Sequence, residues 1–166
     1  YARGGTGVSL AMTKDFKSFE RKGVVMPPDD KNAALFPKKF DDRWLMIHRP
    51  MGMHDRGHIW FSYSPDLKHW GDHSLVLEAR RGGWWDASKI GLSTPPIETS
   101  DGWLLFYHGV RATASGSIYR VGAALLDLED PRKVLRRSDD WIFTPVEPYE
   151  QVGDVPNVVF PCGHTV

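Results

Sequence analysis

The feature that most limits what this chain can fold into is that it repeats itself. Residues 14–19 read KDFKSF and residues 65–70 read PDLKHW, which places Asp15 and Asp66 at equivalent points 51 residues apart. Each follows a short strand-like run, SLAMT (9–13) or IWFSYS (59–64). A second pair is FPKKFDDRWLMIHRP (36–50) and PPIETSDGWLLFYHG (95–109), offset by 59 residues. Both hold a proline, a connector, a DD or SDG turn and an apolar run with a polar ending. A third unit begins at NVVFPCG (157–163), and VGAALLDLEDP (121–131) stands in the place of IWFSYSPDL. A unit of about 50–60 residues with several short strands is the size of a β-propeller blade. Aromatic residues are plentiful, Gly, Pro, Asp and Ser cluster between runs, and long helical periodicity is missing. An ordinary β-sandwich is the simpler alternative, but it does not require matched residue types at a fixed interval. YARGG at the start reads as the tail of a strand, and the run stops after FPCGHTV where another apolar stretch is due. The expectation is therefore a piece of a propeller, about three blades' worth of strands, with residues 1–166 forming part of one domain.

Composition narrows the function. The 166 residues carry 21 basic and 21 acidic side chains and are 41% hydrophobic. That balance opposes broad nucleic-acid or membrane-surface binding, which needs a basic excess. Cys162 is the only cysteine, so an internal disulfide and thiolate zinc sites are excluded. His54 and His58, and His69 and His73, have four-residue spacing, but both pairs fall in turn-like stretches where that spacing does not align side chains on a metal. Gly4, Gly5 and Gly7 precede no long helix and make no dinucleotide loop. No apolar run is long enough to span a membrane and no signal peptide is visible; a cytoplasmic location is expected.

The phrases DKNAALFP, MIHRP, FSYSPDLKHWG, WWDASKIG, GWLLFYHGV, YRVGAALLDLEDPRKV and DVPNVVFP together resemble glycoside hydrolase family 130, over nearly the whole chain. The resemblance implies an all-β fold, a five-bladed β-propeller in the full protein, of which this chain covers roughly the middle blades. It also implies phosphorolysis of β-mannosides: inorganic phosphate, a co-substrate and not a cofactor, attacks the anomeric carbon with inversion and α-mannose 1-phosphate results. The partners implied are a β-mannoside oligosaccharide and phosphate, and a homo-oligomer is compatible with this. The family's proton-donating aspartate lies in a Glu-Asp-Pro-Arg-like segment expected upstream of Tyr1, so no catalytic residue is assigned and the 166 residues alone are expected to be inactive. Glu129-Asp130-Pro131-Arg132 spells the same letters, but it follows an apolar run and reads as a turn.

Four positions match family positions suited to phosphate: Arg49, Lys89, His108 and Tyr119. Phosphate carries about −1.5 to −2 charges. Arginine offers a forked donor, lysine a point charge, and histidine and tyrosine directional donors. Arg49 and His108 close the two matched runs, so a repeat would bring them to a common axis. Taken singly, each has a packing alternative: an ion pair for Arg49, a surface position for Lys89, a satisfied core histidine for His108, a rim tyrosine for Tyr119. On the sugar side, Asp86 is a candidate for bonds to hydroxyls, Trp85 (and Trp84 beside it) for stacking on a pyranose, and Lys31 and Asn32 for the channel mouth. Lys31 and Asn32 could instead sit in a loop with helix-cap chemistry. Asp15 and Asp66 are read as turn-holding. Two readings stay open beside the phosphorylase: a β-mannoside hydrolase of the same fold, and a non-catalytic glycan-binding propeller.

Overall fold

The computed structural model describes residues 5–51 and 56–165. The expected strand at YARGG and the His54 of the first histidine pair fall largely or wholly outside them. The described residues are nearly all β and loop, and form three antiparallel sheets. β1 (Val8–Met12) and β2 (Glu20–Met26) form the first. β3 (Asp30–Leu35), β4 (Trp44–Pro50), β5 (Ile59–Ser64) and β6 (Gly71–Leu77) form a four-stranded meander. The third has the order β11–β10–β9–β7, built from β7 (Lys89–Leu92), β9 (Gly102–Thr113), β10 (Gly116–Leu126) and β11 (Val134–Arg137). Its fifth strand, β8 (Ile97–Thr99), continues the line of β7 along the same edge of β9. Among the described residues the one α-helix is α1 (Pro148–Gln151), and none is long and apolar enough to cross a membrane.

The repeat has an atomic cause. Leaving β1, Asp15 Oδ1 accepts the backbone N–H groups of Lys17 and Ser18, at 2.9 and 2.8 Å. Leaving β5, Asp66 Oδ1 accepts those of Lys68 and His69, also at 2.9 and 2.8 Å. The residue after each aspartate, Phe16 or Leu67, takes the left-handed conformation. Leaving β10, Asp127 Oδ1 accepts from Glu129 and Asp130 in the same pattern. A short acceptor side chain that caps its own turn fixes where each strand reverses. Asp130 itself is bonded to Arg132 in that turn. The third expected unit differs: 157–165 contains no strand, and Asn157 C=O instead accepts the N–H of Tyr119.

β4 is enclosed on both faces, which is why LMI reads as an unbroken apolar run. Leu45 and Ile47 join a core with Phe61 of β5, Ile90 and Leu92 of β7 and Trp103, Leu105 and Tyr107 of β9. Phe36 sits at its centre, edge-on to Phe61 (5.3 Å between centroids) and to Trp103 (5.0 Å). Met46 points the other way, into a smaller core with Val25 and Met26 of β2. Strand alternation then carries Arg49 out with Leu45 and Ile47, and His48 with Met46.

Candidate active site

Lys89, His108 and Tyr119 leave one face of the third sheet. Lys89 and Tyr119 both pair with Val110 from opposite sides, and His108 lies two residues along β9, paired with Gly91 and Val121. Lys89 Nζ is 6.0 Å from the Tyr119 ring centre. The His108 and Tyr119 rings lie 6.2 Å apart and 28° from parallel. Arg49 arrives from the neighbouring sheet, and its Nη1 donates to His108 Nε2 at 3.1 Å. All four expected anion-binding residues are thus brought together. Arg49 and His108 stand equally far along the chain from Trp44 and Trp103 near the starts of β4 and β9, but only Arg49 lies near its strand's end, because β9 runs on past His108 to Thr113.

Two glycines make that meeting sterically feasible. A Cβ on Gly91 would lie 2.7 Å from His108 Cε1 and 2.8 Å from Arg49 Nη1. A Cβ on Gly57 would lie 2.6 Å from Arg49 Cδ. Neither glycine carried weight in the sequence, where Gly91 was only one letter of WWDASKIG. Phe160, in the sequence only part of a repeat start, stands with its ring 4.4 Å from that of His108.

The electrostatics follow from burial. Arg49 is 5% exposed and His108 1%. Burial, and then the Arg49 charge, push the His108 imidazole down to about 3, so the ring is neutral. Arginine can only donate, so Nε2 is the acceptor and the proton sits on Nδ1. The Leu92 backbone pulls the imidazole the other way but makes no well-formed hydrogen bond to Nδ1. Burial also lowers the Arg49 guanidinium, opposed by Tyr119 and by the negative charge of Asp30. Two buried donors, Arg49 Nε and His108 Nδ1, have no hydrogen-bond partner among the described residues. Unpaired buried donors are costly, and next to Lys89 and Tyr119 they form a cluster short of an acceptor.

The sugar-side expectations fare unevenly. Lys31 and Asn32 lie on β3 and not in a capped loop, and Lys31 pairs with Arg49. Asn32 sits at a register break in β3 with φ 52°, a conformation asparagine tolerates, and its Oδ1 is buried and unpaired. Asp86 is fully buried: Oδ2 accepts from Arg137 Nη2 (2.7 Å) and from the Tyr107 hydroxyl (3.0 Å), which leaves Oδ1 as its free acceptor. Burial raises the Tyr107 hydroxyl to about 12 and keeps it protonated as that donor. Trp85 is a correction. It is 3% exposed, stacks on Tyr107 at 5.6 Å and donates to the Asp139 carbonyl at 2.7 Å. Its indole fills space above Gly109 and Gly122, so it packs the core and offers no face to a pyranose. Trp84 is half-exposed and covered by the Arg80 guanidinium. Among the described residues no group of three or more His, Cys, Asp or Glu is arranged to hold a metal.

The chain is similar in sequence and fold to several known proteins. The chain is 42% identical over 159 residues to a 1,2-beta-oligomannan phosphorylase from Thermoanaerobacter sp. (strain X514), covering 96% of this chain and 51% of that protein. It is 41% identical over 164 residues to a beta-1,4-mannooligosaccharide phosphorylase from Ruminococcus albus, covering 96% and 48%. The solved beta-1,2-mannobiose phosphorylase from Listeria innocua, in complex with beta-1,2-mannobiose, superposes with a TM-score of 0.87 at 41% identity, covering 96% of this chain and 44% of that one. The chain spans about half the length of the curated relatives it matches. The profile of glycoside hydrolase family 130, described as beta-1,4-mannooligosaccharide phosphorylase, matches residues 1–166, and the chain belongs to that family.

Proposed function

We propose that the full-length protein cleaves β-mannosides by phosphorolysis, and that Arg49, Lys89, His108 and Tyr119 hold the phosphate. The observation that carries this is the pair of buried, unpaired donors, Arg49 Nε and His108 Nδ1, beside a lysine and a tyrosine. Water as nucleophile needs no cationic cradle; a phosphate dianion does. A phosphate oxygen attacks C1 from the face opposite the leaving group. The C1–O bond to the acceptor sugar breaks, the departing oxygen takes a proton from an acid, and α-mannose 1-phosphate forms with inversion. In this reading that acid is an aspartate outside the 166 residues, and Lys31, Asn32 and the free Oδ1 of Asp86 serve the sugar. We further read the three sheets as part of a five-bladed propeller whose inner strands include β3 and β7. The ionic sugar phosphate does not cross membranes, which suits a cytoplasmic enzyme.

Product analysis tests the proposal. Full-length protein incubated with mannobiose and inorganic phosphate should release mannose 1-phosphate and one free sugar. Two free mannoses, with no phosphate consumed, refute it in favour of hydrolysis; no turnover on any β-mannoside leaves a glycan-binding role.

A further inference from the structure

His58 stands just before β5, and its Nδ1 accepts the backbone N–H of Ala79, just past β6, at 2.9 Å. Arg56 Nη2 donates to the carbonyls of Ala79 and Arg80, both at 3.1 Å. Between these two residues, the Gly57 carbonyl accepts the N–H of Ile90 on β7 at 2.9 Å. Residues 56–58 therefore grip the connector 78–88 at its start and also the strand into which it runs.

Gly57 is also where Arg49 passes. A Cβ there would stand 2.6 Å from Arg49 Cδ and 3.1 Å from its Nε, and a Cβ on Gly91 would stand 2.8 Å from its Nη1. The arginine thus runs between the backbones of Gly57 and Gly91, and the Gly57–Ile90 bond sets the width of that gap. Lys89 directly precedes Ile90, so the same bond fixes where β7 carries the lysine.

We propose that Arg56, Gly57 and His58 are positioning residues of the anion site: they form a clasp that fixes the Arg49 side chain and the lysine-bearing strand relative to each other. This rests on the phosphate reading above and adds three residues outside it, none of which has to touch phosphate. The clasp has a titratable catch. A backbone N–H only donates, so His58 Nδ1 is the acceptor and the ring proton sits on Nε2. A second proton on the ring sets Nδ1–H against the Ala79 N–H and breaks the bond. Ala79 is 1% exposed, so its freed N–H has little access to water as a substitute. Burial, and then the Arg56 charge, hold the His58 imidazole below its ordinary value; Arg81 acts with them and Glu78 against them. The strand residues nearest to it, the paired Ile59 and Leu77, are uncharged. The catch is therefore closed at neutral pH and opens on the acid side.

The test is phosphorolysis by full-length protein at varied phosphate, for wild type, His58→Leu and His58→Asn, from pH 5.5 to 7.5. The two variants nearly share a shape, but asparagine offers an acceptor in place of Nδ1 and takes up no proton, whereas leucine offers none. At pH 7.5 His58→Leu should raise the phosphate KM by on the order of 10-fold and leave the mannoside KM within about twofold. His58→Asn should bring the phosphate KM back to within about twofold of wild type. As pH falls, the wild-type phosphate KM should climb relative to that of His58→Asn, a ratio from which the titration of phosphate itself cancels. A purely structural role would reduce the amount of active protein, which lowers kcat and moves neither KM. An unchanged phosphate KM in His58→Leu overturns the proposal, and so does a ratio of wild type to His58→Asn that is flat with pH. The second comparison decides alone if His58→Leu does not fold. Turnover of the mannoside by wild type without phosphate overturns the anion site itself, a separate outcome.

Discussion

Gly91→Ala in the full-length protein puts one methyl group between the two side chains on which the anion site depends. The backbone at Gly91 is not left-handed, so alanine itself is tolerated there. The trouble is contact. The new Cβ would stand 2.7 Å from His108 Cε1, 2.8 Å from Arg49 Nη1 and 2.9 Å from His108 Nε2. An unstrained carbon contact needs about 3.5 Å, so the imidazole has to retreat by about 0.8 Å. Both partners are buried and have little room to move, and their 3.1 Å hydrogen bond lies across the intruding atom. Overpacking of this kind costs about 1–3 kcal/mol of stability. A displacement near 1 Å in a positioning group costs roughly 100-fold in rate. Phosphorolysis at varied phosphate should therefore show kcat/KM for phosphate down by on the order of 10- to 100-fold, with the protein still folded. Gly83→Ala is the control, since nothing lies within 4 Å of a Cβ there, and it should behave as wild type. If Gly91→Ala keeps the wild-type KM for phosphate and the wild-type kcat, Arg49 and His108 do not form the anion site.

Three further outcomes follow from the geometry. Lys89→Met should raise the phosphate KM at least about tenfold and leave the fold intact, because Lys89 is half-buried at a strand start; an unchanged KM excludes Lys89 from the site. His108 is held near 3 when folded and titrates near 6.5 when unfolded. The unfolded chain therefore binds the extra proton between those values, and stability falls as pH drops through that window, by at most about 1.4 kcal/mol per unit. Denaturant titrations of wild type and His108→Gln across pH 4 to 6.5 should show a shallower slope in the variant, and equal slopes would contradict the buried neutral ring. Trp85→Ala should cost about 3–5 kcal/mol in chemical unfolding, whereas a change in sugar KM with no loss of stability would restore Trp85 to the sugar.

What the sequence disclosed depended on whether the cause was local. Asp15 and Asp66 were readable because an aspartate capping its own turn needs only neighbours two and three residues away. Arg49 and His108 were readable as equivalents because a repeat preserves strand register. The windows at Gly57 and Gly91 were hidden, since what a missing Cβ admits is decided by another strand. The same holds for the hydrogen-bonded line of Asp30, His48, Ser62 and His73, whose four members become neighbours only when β3 to β6 align. Trp85 misled because a tryptophan beside a glycine pair looks alike whether it faces a ligand or a core. Here Gly109 and Gly122 on other strands made the space that swallowed it. For Asn32 the sequence left a channel-mouth position and a capped loop both open, because a strand interruption and a loop share the same residue preferences, and it is the register break in β3 that the structure shows.

The enclosure of β4 between two sheets has a kinetic meaning for Arg49. Amide hydrogens of a strand covered on both faces exchange only when both interfaces part, in practice by near-global opening. β7 is only four residues long and lies at the margin of its sheet, but its Ile90 and Leu92 share the core of Leu45 and Ile47, so the strand that carries Lys89 parts only when that core does. On warming, anion capture and the fold should therefore be lost together, with no earlier stage in which the lysine alone has left.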